Sequence, residues 1–64
     1  MTLGESIKQI REVLRLSQRE LAEEIGCSQT AISSFEKGVK NPSYELLKKM
    51  SAFAKLKKVK VSLL

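Results

Sequence analysis

Two short helical patterns, joined by one tight turn, lie within residues 17–36, SQRELAEEIGCSQTAISSFE. Ser17 is followed three residues later by Glu20, the spacing of a capping box, which predicts a helix that begins at Gln18. Apolar residues recur on one face of this helix, and Gly26 ends it because glycine accepts the left-handed backbone that follows a helix end. Any fold of this chain must therefore hold two short helices at a fixed angle.

The second helical pattern begins directly after the turn, where Ser28 can cap it. Its apolar face consists of Ala31, Ile32 and Phe35, and its polar face of Gln29, Thr30, Ser33, Ser34 and Lys37. The polar face carries hydroxyls, an amide and a cation but no carboxylate before Glu36, so it suits contact with a polyanion and offers donors and acceptors to base edges. A capped helix, a turn with glycine and a second helix of this kind make a helix-turn-helix signature.

Charge is unevenly distributed along the chain, whose net charge is +5. Residues 1–36 hold four Lys and Arg against six Glu, a net charge of −2, whereas residues 37–64 hold eight Lys against one Glu, a net charge of +7. This asymmetry favours a polyanion that approaches the helix predicted after Ser28 and the second half of the chain. The alternative is a solvated surface that only keeps the protein soluble.

Composition excludes several classes of function. Sixty-four residues allow one domain, close to the lower limit for a core without disulfides, metals or a partner subunit. One cysteine and no histidine leave no disulfide framework, no metal site and no nucleophile and base pair, and no cofactor is predicted. The only cluster of carboxylates, Glu20, Glu23 and Glu24, lies on a wet helical face, so an enzyme is not expected. Cys27 is interpreted as a buried, inert thiol, with redox sensing as the alternative.

Membrane and export signals are lacking in the sequence. No apolar stretch approaches the ~20 residues that a membrane span requires, and the first residues lack a cationic region followed by an apolar run. The chain is therefore expected in the cytoplasm.

The first helix is predicted to run from Leu3 to about Arg15, because Thr2 and Glu5 form a second possible capping box. Its inward stripe is predicted to be Ile7, Ile10, Val13 and Leu14. A fourth helix is predicted over about residues 43–54, where Pro42 sets its start and Asn41 or Ser43 caps it. Its core residues are predicted to be Tyr44, Leu47 and Met50, with Phe53 or Ala54.

The last residues change pattern. Lys58, Lys60 and Ser62 alternate with Val59, Val61 and Leu63, which favours one short strand. A single strand must pair with another, most simply with its copy in a second chain, so residues 55–64 are predicted to form a basic tail for dimerisation. The spacing of Leu56, Val59 and Leu63 also fits a helix. Lys55, Lys57, Lys58 and Lys60 are interpreted as a device that keeps an edge strand soluble.

The segment LSQRELAEEIGCSQTAISSFEKG at residues 16–38, followed by Asn41, Pro42, Ser43 and Leu46, resembles the Cro and phage-repressor type of helix-turn-helix protein, also called the xenobiotic-response-element family. The resemblance covers about residues 7–54, and residues 1–54 are predicted to form the helix-turn-helix DNA-binding domain. It implies an all-α fold: a small bundle of four to five helices similar to that of lambda repressor. Most relatives have a fifth helix where this chain has its tail.

The resemblance also implies roles for individual residues. Reading of bases falls to Gln29, Thr30 and Ser34, with Ser33 behind them, and the loop with Lys37 and Lys40 contacts DNA phosphates. Gln18 and Arg19 are added as phosphate contacts because a helix N-terminus can meet an anion. Arg11 is expected to pair with Glu36 and to fix an angle rather than to bind. Simpler interpretations are a capping role for Gln18, solvated hydroxyls at Thr30 and Ser33, and a helix-end cation at Lys37.

The function implied is a sequence-specific DNA-binding regulator, expected to be a repressor that acts as a homodimer on a two-fold symmetric operator. The recognition helix, about residues 28–37, would lie in the major groove of double-stranded DNA. Two alternatives stay open. One is an antitoxin that binds its operator and a toxin protein, and the other is an adaptor module that binds proteins.

Overall fold

Four α-helices make up the fold in a computed structural model that describes residues 2–61 and 63. They are α1 (Leu3–Val13), α2 (Gln18–Ile25), α3 (Gln29–Lys37) and α4 (Tyr44–Leu56). The bundle measures 26 × 21 × 20 Å, with α3 packed against α1 and α2, and α4 packed against α2. The prediction of an all-α bundle is therefore confirmed. None of the described helices is both long and apolar enough to cross a membrane.

Each helix begins at a hydroxyl residue that caps it. The caps are Thr2, Ser17, Ser28 and Ser43, and the side-chain oxygen of each accepts a hydrogen bond from the backbone N–H three residues later, at 3.0–3.3 Å. The first two caps form complete capping boxes, in which the glutamate of the first turn accepts from the N–H of the cap. Local sequence therefore determines where the helices begin.

A left-handed residue follows each of the four helices, within two positions of the last helical residue. Two of these residues are Gly26 and Gly38, with φ of 89° and 77°, but the others are Arg15 and Lys58, with φ of 57° and 60°. At the end of α1, the N–H of Leu16 donates to the carbonyl of Arg11 at 2.9 Å, the bond of a Schellman turn. Helix α1 consequently ends two residues before the predicted end.

Replacing Arg15 with glycine should stabilise the domain. A side chain in the left-handed region costs roughly 1–2 kcal/mol, which glycine would relieve. The greater freedom of glycine in the unfolded chain offsets about 0.5–1 kcal/mol of this relief. We expect a net increase of about 0.5–1 kcal/mol in the free energy of unfolding, measured by urea denaturation. A loss of stability would show that the Arg15 side chain makes contacts worth more than the strain.

The core consists of apolar residues from all four helices. Its buried members are Ile7, Leu21, Ala22, Ile25, Ile32, Phe35 and Met50; Ile10 and Ala54 are also buried. Two predicted core residues, Val13 and Tyr44, are instead exposed. Val13 is the last residue of α1, and Tyr44 is six residues before Met50, which places it about 120° from the buried face. Leu46 packs on the core at this end of α4.

The predicted C-terminal strand is wrong for the part of the tail that the structure describes, in which no strand is found. Helix α4 continues to Leu56, and the N–H of Val59 then donates to the carbonyl of Ala54 at 2.8 Å. The N–H of Val61 donates to the carbonyl of Val59, and Leu63 packs on the core of its own chain. Of the alternating apolar residues, Leu63 thus packs within its own chain, and Val59 and Val61 are half-buried. Ser62 and Leu64 lie outside the described residues.

Candidate functional site

The polar face of α3 is the centre of the candidate site. Gln29, Thr30 and Lys37 are exposed, and Ser33 and Ser34 are half-buried beside them. The opposite face holds Ile32 and Phe35, both buried in the core. Because these two apolar anchors fix the rotation of α3 about its axis, the amide, the hydroxyls and the lysine are presented outward along one side of a helix.

The turn before α3 fixes its angle to α2. Gly26 takes a left-handed conformation, and its N–H and that of Cys27 both donate to the carbonyl of Ala22, at 2.8 and 3.0 Å. The Cys27 side chain is half-buried against the core, and burial raises the pKa of its thiol. A thiol with a raised pKa stays protonated at neutral pH, which suits the predicted inert role.

A polar network joins α1, α2 and the end of α3. Arg11 donates to both carboxylate oxygens of Glu36, from Nε at 2.8 Å and from Nη2 at 3.2 Å, and from Nη1 to the carbonyl of Leu16 at 3.2 Å. The amide of Gln18 donates to the same carboxylate at 3.2 Å. The hydrogen bond to Glu36 raises the pKa of Arg11. Only 18 % of the Arg11 side chain and 7 % of the Glu36 side chain are exposed.

The predicted phosphate-contacting residues occupy three places. Gln18 is the first residue of α2, and its amide is already bound to Glu36. Arg19 follows it and is exposed, with its Nε atom 3.8 Å from Oε1 of Glu23. Lys37 and Lys40 lie on either side of Gly38, in the exposed segment that ends α3. The positive end of the α2 dipole adds to the attraction of these cations for an anion.

Gly4 is a structural residue of the site that the sequence pattern did not single out. A Cβ atom at Gly4 would lie 2.5 Å from the carbonyl oxygen of Phe35 and 2.7 Å from that of Glu36. The backbone of α1 therefore lies directly against the last turn of α3. No local signal could reveal this, because Gly4 is inside a helix and its neighbours are distant in sequence.

Protonation of the capping boxes should make the domain less stable in acid. The backbone N–H groups of Thr2 and Ser17 lower the pKa of the Glu5 and Glu20 carboxyls. Their stabilising effect is complete above the pKa of the unfolded chain, about 4.3, and disappears as the pH falls through the lower pKa of the folded state.

We expect Glu20→Gln, which keeps the accepting oxygen but cannot titrate, to lose less stability than the parent protein between about pH 5 and pH 3. Urea denaturation across this range measures the effect. Glu24→Gln, outside the capping box on the same helix, is the matched control. Identical acid profiles for Glu20→Gln and the parent would contradict the assignment.

The arrangement suits a groove better than a small ligand. No pocket is found among residues 2–61 and 63, and these residues contain no group of three possible metal-ligating side chains. What the chain offers is a partly exposed helix face of donors and acceptors, with exposed cations at one end of α3 and at the start of α2. That chemistry suits the major groove of DNA, where base edges present donors and acceptors.

Comparisons with known proteins agree with this geometry. A family model described as helix-turn-helix matches residues 7–59. The chain is 42% identical over 53 residues to the HTH-type transcriptional activator BcrR of Enterococcus faecalis, an alignment that covers 83% of this chain and 26% of that protein. The chain thus spans about a quarter of the length of this relative. No solved structure gives a significant match.

Proposed function

Because the chain belongs to the helix-turn-helix family, we propose that it binds double-stranded DNA by sequence and thereby regulates transcription. The predicted family membership is confirmed. The observation that carries the proposal is the polar face of α3, which is free of carboxylates before Glu36 and held in a fixed rotation by buried Ile32 and Phe35. A helix of this kind fits the major groove, where every base pair presents a distinct pattern of donors and acceptors.

We assign the reading of bases to Gln29, Thr30 and Ser34, with Ser33 beside them. An amide such as that of Gln29 can make two hydrogen bonds to adenine, and the methyl group of Thr30 can pack on that of thymine. A good bidentate contact discriminates between bases by about 1–3 kcal/mol.

Phosphate contacts are assigned to Arg19, Lys37 and Lys40, and to Gln18 at the start of α2. These contacts orient the domain without reading sequence, and they make affinity fall as salt rises. The amide of Gln18 donates to Glu36. We therefore propose that Gln18 links the phosphate contact to the network that holds α3.

The direction of regulation is a separate matter. The resemblance to phage repressors implies that the chain represses by occupying an operator, whereas the relative from Enterococcus faecalis is named an activator. The same contact with DNA serves either outcome, and a reporter gene placed behind the bound site distinguishes them.

We propose a homodimer as the unit that binds DNA, since one recognition helix reads too few base pairs to define an operator. In such a dimer, the two copies of α3 enter successive major grooves about 34–36 Å apart. The described part of the tail forms no strand, so the interface is not assigned to a tail strand.

Selection from random duplexes tests the proposal. Purified protein is mixed with a library of random double-stranded DNA at about 0.15 M salt, and the retained molecules are sequenced. We expect one shared motif, and two inverted copies about one helical turn apart if the dimer is correct. Retention without a shared motif, or no retention at all, would contradict sequence-specific binding.

A further inference from the structure

Helix α4 has an exposed side that the proposed DNA contact does not use. We call it the outer face of α4: it consists of Tyr44, Glu45, Lys48, Lys49, Ala52, Lys55 and Leu56, all exposed. At 3.6 residues per turn, these seven positions fall within an arc of about 140°. The opposite side of the helix carries buried Met50 and Ala54, so the outer face has no role in the core.

This face is strongly basic. It has three lysines and one carboxylate, and the chain adds Lys57, Lys58 and Lys60 directly after it. No lysine of this group forms an ion pair with a carboxylate within the described part of the chain. The described tail forms no strand. The interpretation of its lysines as a device that keeps an edge strand soluble therefore does not account for them.

The two ends of the outer face are apolar. Tyr44 is 66 % exposed and Leu56 is 76 % exposed, and twelve residues of helix separate them by about 18 Å. The Nζ atom of Lys48 lies 5.5 Å from the centroid of the Tyr44 ring, within range of a cation–π interaction that orders the ring. The face therefore combines two large apolar side chains with a field of positive charge between and beyond them.

We propose that the outer face of α4 binds an acidic protein segment with apolar side chains, such as an amphipathic helix. Its carboxylates would meet the lysines, and its apolar residues would cover Tyr44 and Leu56. A second copy of this chain is a poor occupant because the lysines of the two faces would repel each other. A DNA backbone would satisfy the lysines but gain nothing from an exposed leucine. This interaction is additional to the proposed DNA binding and does not depend on it.

Two synthetic peptides test the proposal. The first is a 16-residue fluorescent peptide with leucine at its first, fifth, eighth and twelfth positions and glutamate at most others, and the second has serine in place of the leucines. Fluorescence anisotropy at about 0.15 M salt measures their affinities. We expect the leucine peptide to bind at least tenfold more tightly, because only it can cover the apolar ends. Equal affinities, or no binding, would overturn the proposal.

Variants locate the contact. Leu56→Ser should weaken binding of the leucine peptide at least fivefold, and the double variant Lys48→Gln and Lys55→Gln should do the same. Lys8→Gln, at an exposed position of α1, is the matched control and should leave the affinity unchanged. All these positions are exposed, and circular dichroism checks that each variant is folded. A peptide affinity unchanged by both α4 variants would overturn the proposal.

NMR and DNA binding separate this site from α3. In a titration of 15N-labelled protein with the leucine peptide, we expect the largest shift changes at residues 44–58. The α4 variants should bind duplex DNA within twofold of the parent protein. Changes centred on α3, or a loss of DNA affinity in the α4 variants equal to that in Lys40→Ala, would show that the face serves DNA instead. Self-association of the parent that Leu56→Ser abolishes would show that a second copy occupies it.

Discussion

Replacing Arg11 with alanine should lower the free energy of unfolding by about 3–5 kcal/mol. The substitution leaves the Glu36 carboxylate, only 7 % exposed, without its cation and without two of its three hydrogen bonds. A domain of this size has a total stability of about 3–10 kcal/mol. Much of the protein should therefore be unfolded at 37 °C, as urea denaturation and thermal melts monitored by circular dichroism would show.

An exposed ion pair in the same chain provides the control. Arg19 and Glu23 lie 3.8 Å apart, with 79 % and 71 % of their side chains exposed, and Arg19→Ala should cost less than about 0.5 kcal/mol. The double variant Arg11→Met and Glu36→Leu should recover most of the stability lost in Arg11→Ala, because no buried charge is then left unpaired. Equal, small losses for Arg11→Ala and Arg19→Ala would contradict a structural role for the Arg11 and Glu36 pair.

Replacing Gly4 with alanine should destabilise the domain by about 1–3 kcal/mol. In an ordinary helical position the same change stabilises by about 1 kcal/mol, so the expected sign is reversed. The reason is that the new methyl group would lie 2.5 and 2.7 Å from two backbone carbonyl oxygens of α3. Neither oxygen can move without displacing the last turn of the helix.

Urea denaturation measures this effect, with Lys8→Ala on the exposed side of α1 as the control expected to stay within about 0.5 kcal/mol. If Gly4→Ala is as stable as the parent or more so, α1 and α3 do not approach each other as closely as the structure indicates. Because α3 carries the proposed base-reading face, a folded Gly4→Ala protein should also bind its DNA more weakly.

Helix boundaries were predictable because their signals are local. The cap residues Ser17 and Ser28, together with the intervening Gly26, determine the ends of α2 and the start of α3 through bonds within a few residues. The end of α1 escaped the pattern because Arg15, in place of a glycine, takes the left-handed conformation. Arginine has no preference for the left-handed region, so its residue type does not predict this helix end.

Predictions that depend on tertiary contacts fared less well. Steps of three residues connect Tyr44 to Leu47 and Leu47 to Met50, but the two steps together turn Tyr44 about 120° away from the buried face that Met50 and Ala54 define, and Tyr44 is exposed. In the tail, the alternation of Val59, Val61 and Leu63 resembles a strand, yet Val59 and Val61 form backbone bonds of a turn and Leu63 packs on the core of the same chain. Periodicity gives the face of a segment but not its partner.

In the candidate site, too, features that depend on local periodicity were predictable from the sequence, and features that depend on packing between helices were not. The polar face of α3 follows from helical periodicity, because a residue opposite Ile32 and Phe35 must point outward. Arg11 and Glu36 are 25 residues apart and form an ion pair in the structure. From the sequence, this pairing is expected only on the basis of the family resemblance. The approach of Gly4 to the end of α3 depends on the packing of α1, and no residue pattern within the chain indicates it.

The most direct test of the central claim compares the affinities of three variants for the selected motif and for random duplex DNA. Gln29→Ala and Thr30→Ala should each weaken binding to the motif by about 1–3 kcal/mol and leave random DNA nearly unchanged, because base contacts carry the sequence information. Lys40→Ala should weaken both alike and reduce the slope of affinity against salt by about 1. Uniform losses from all three variants on both DNAs would contradict the assignment of sequence reading to α3.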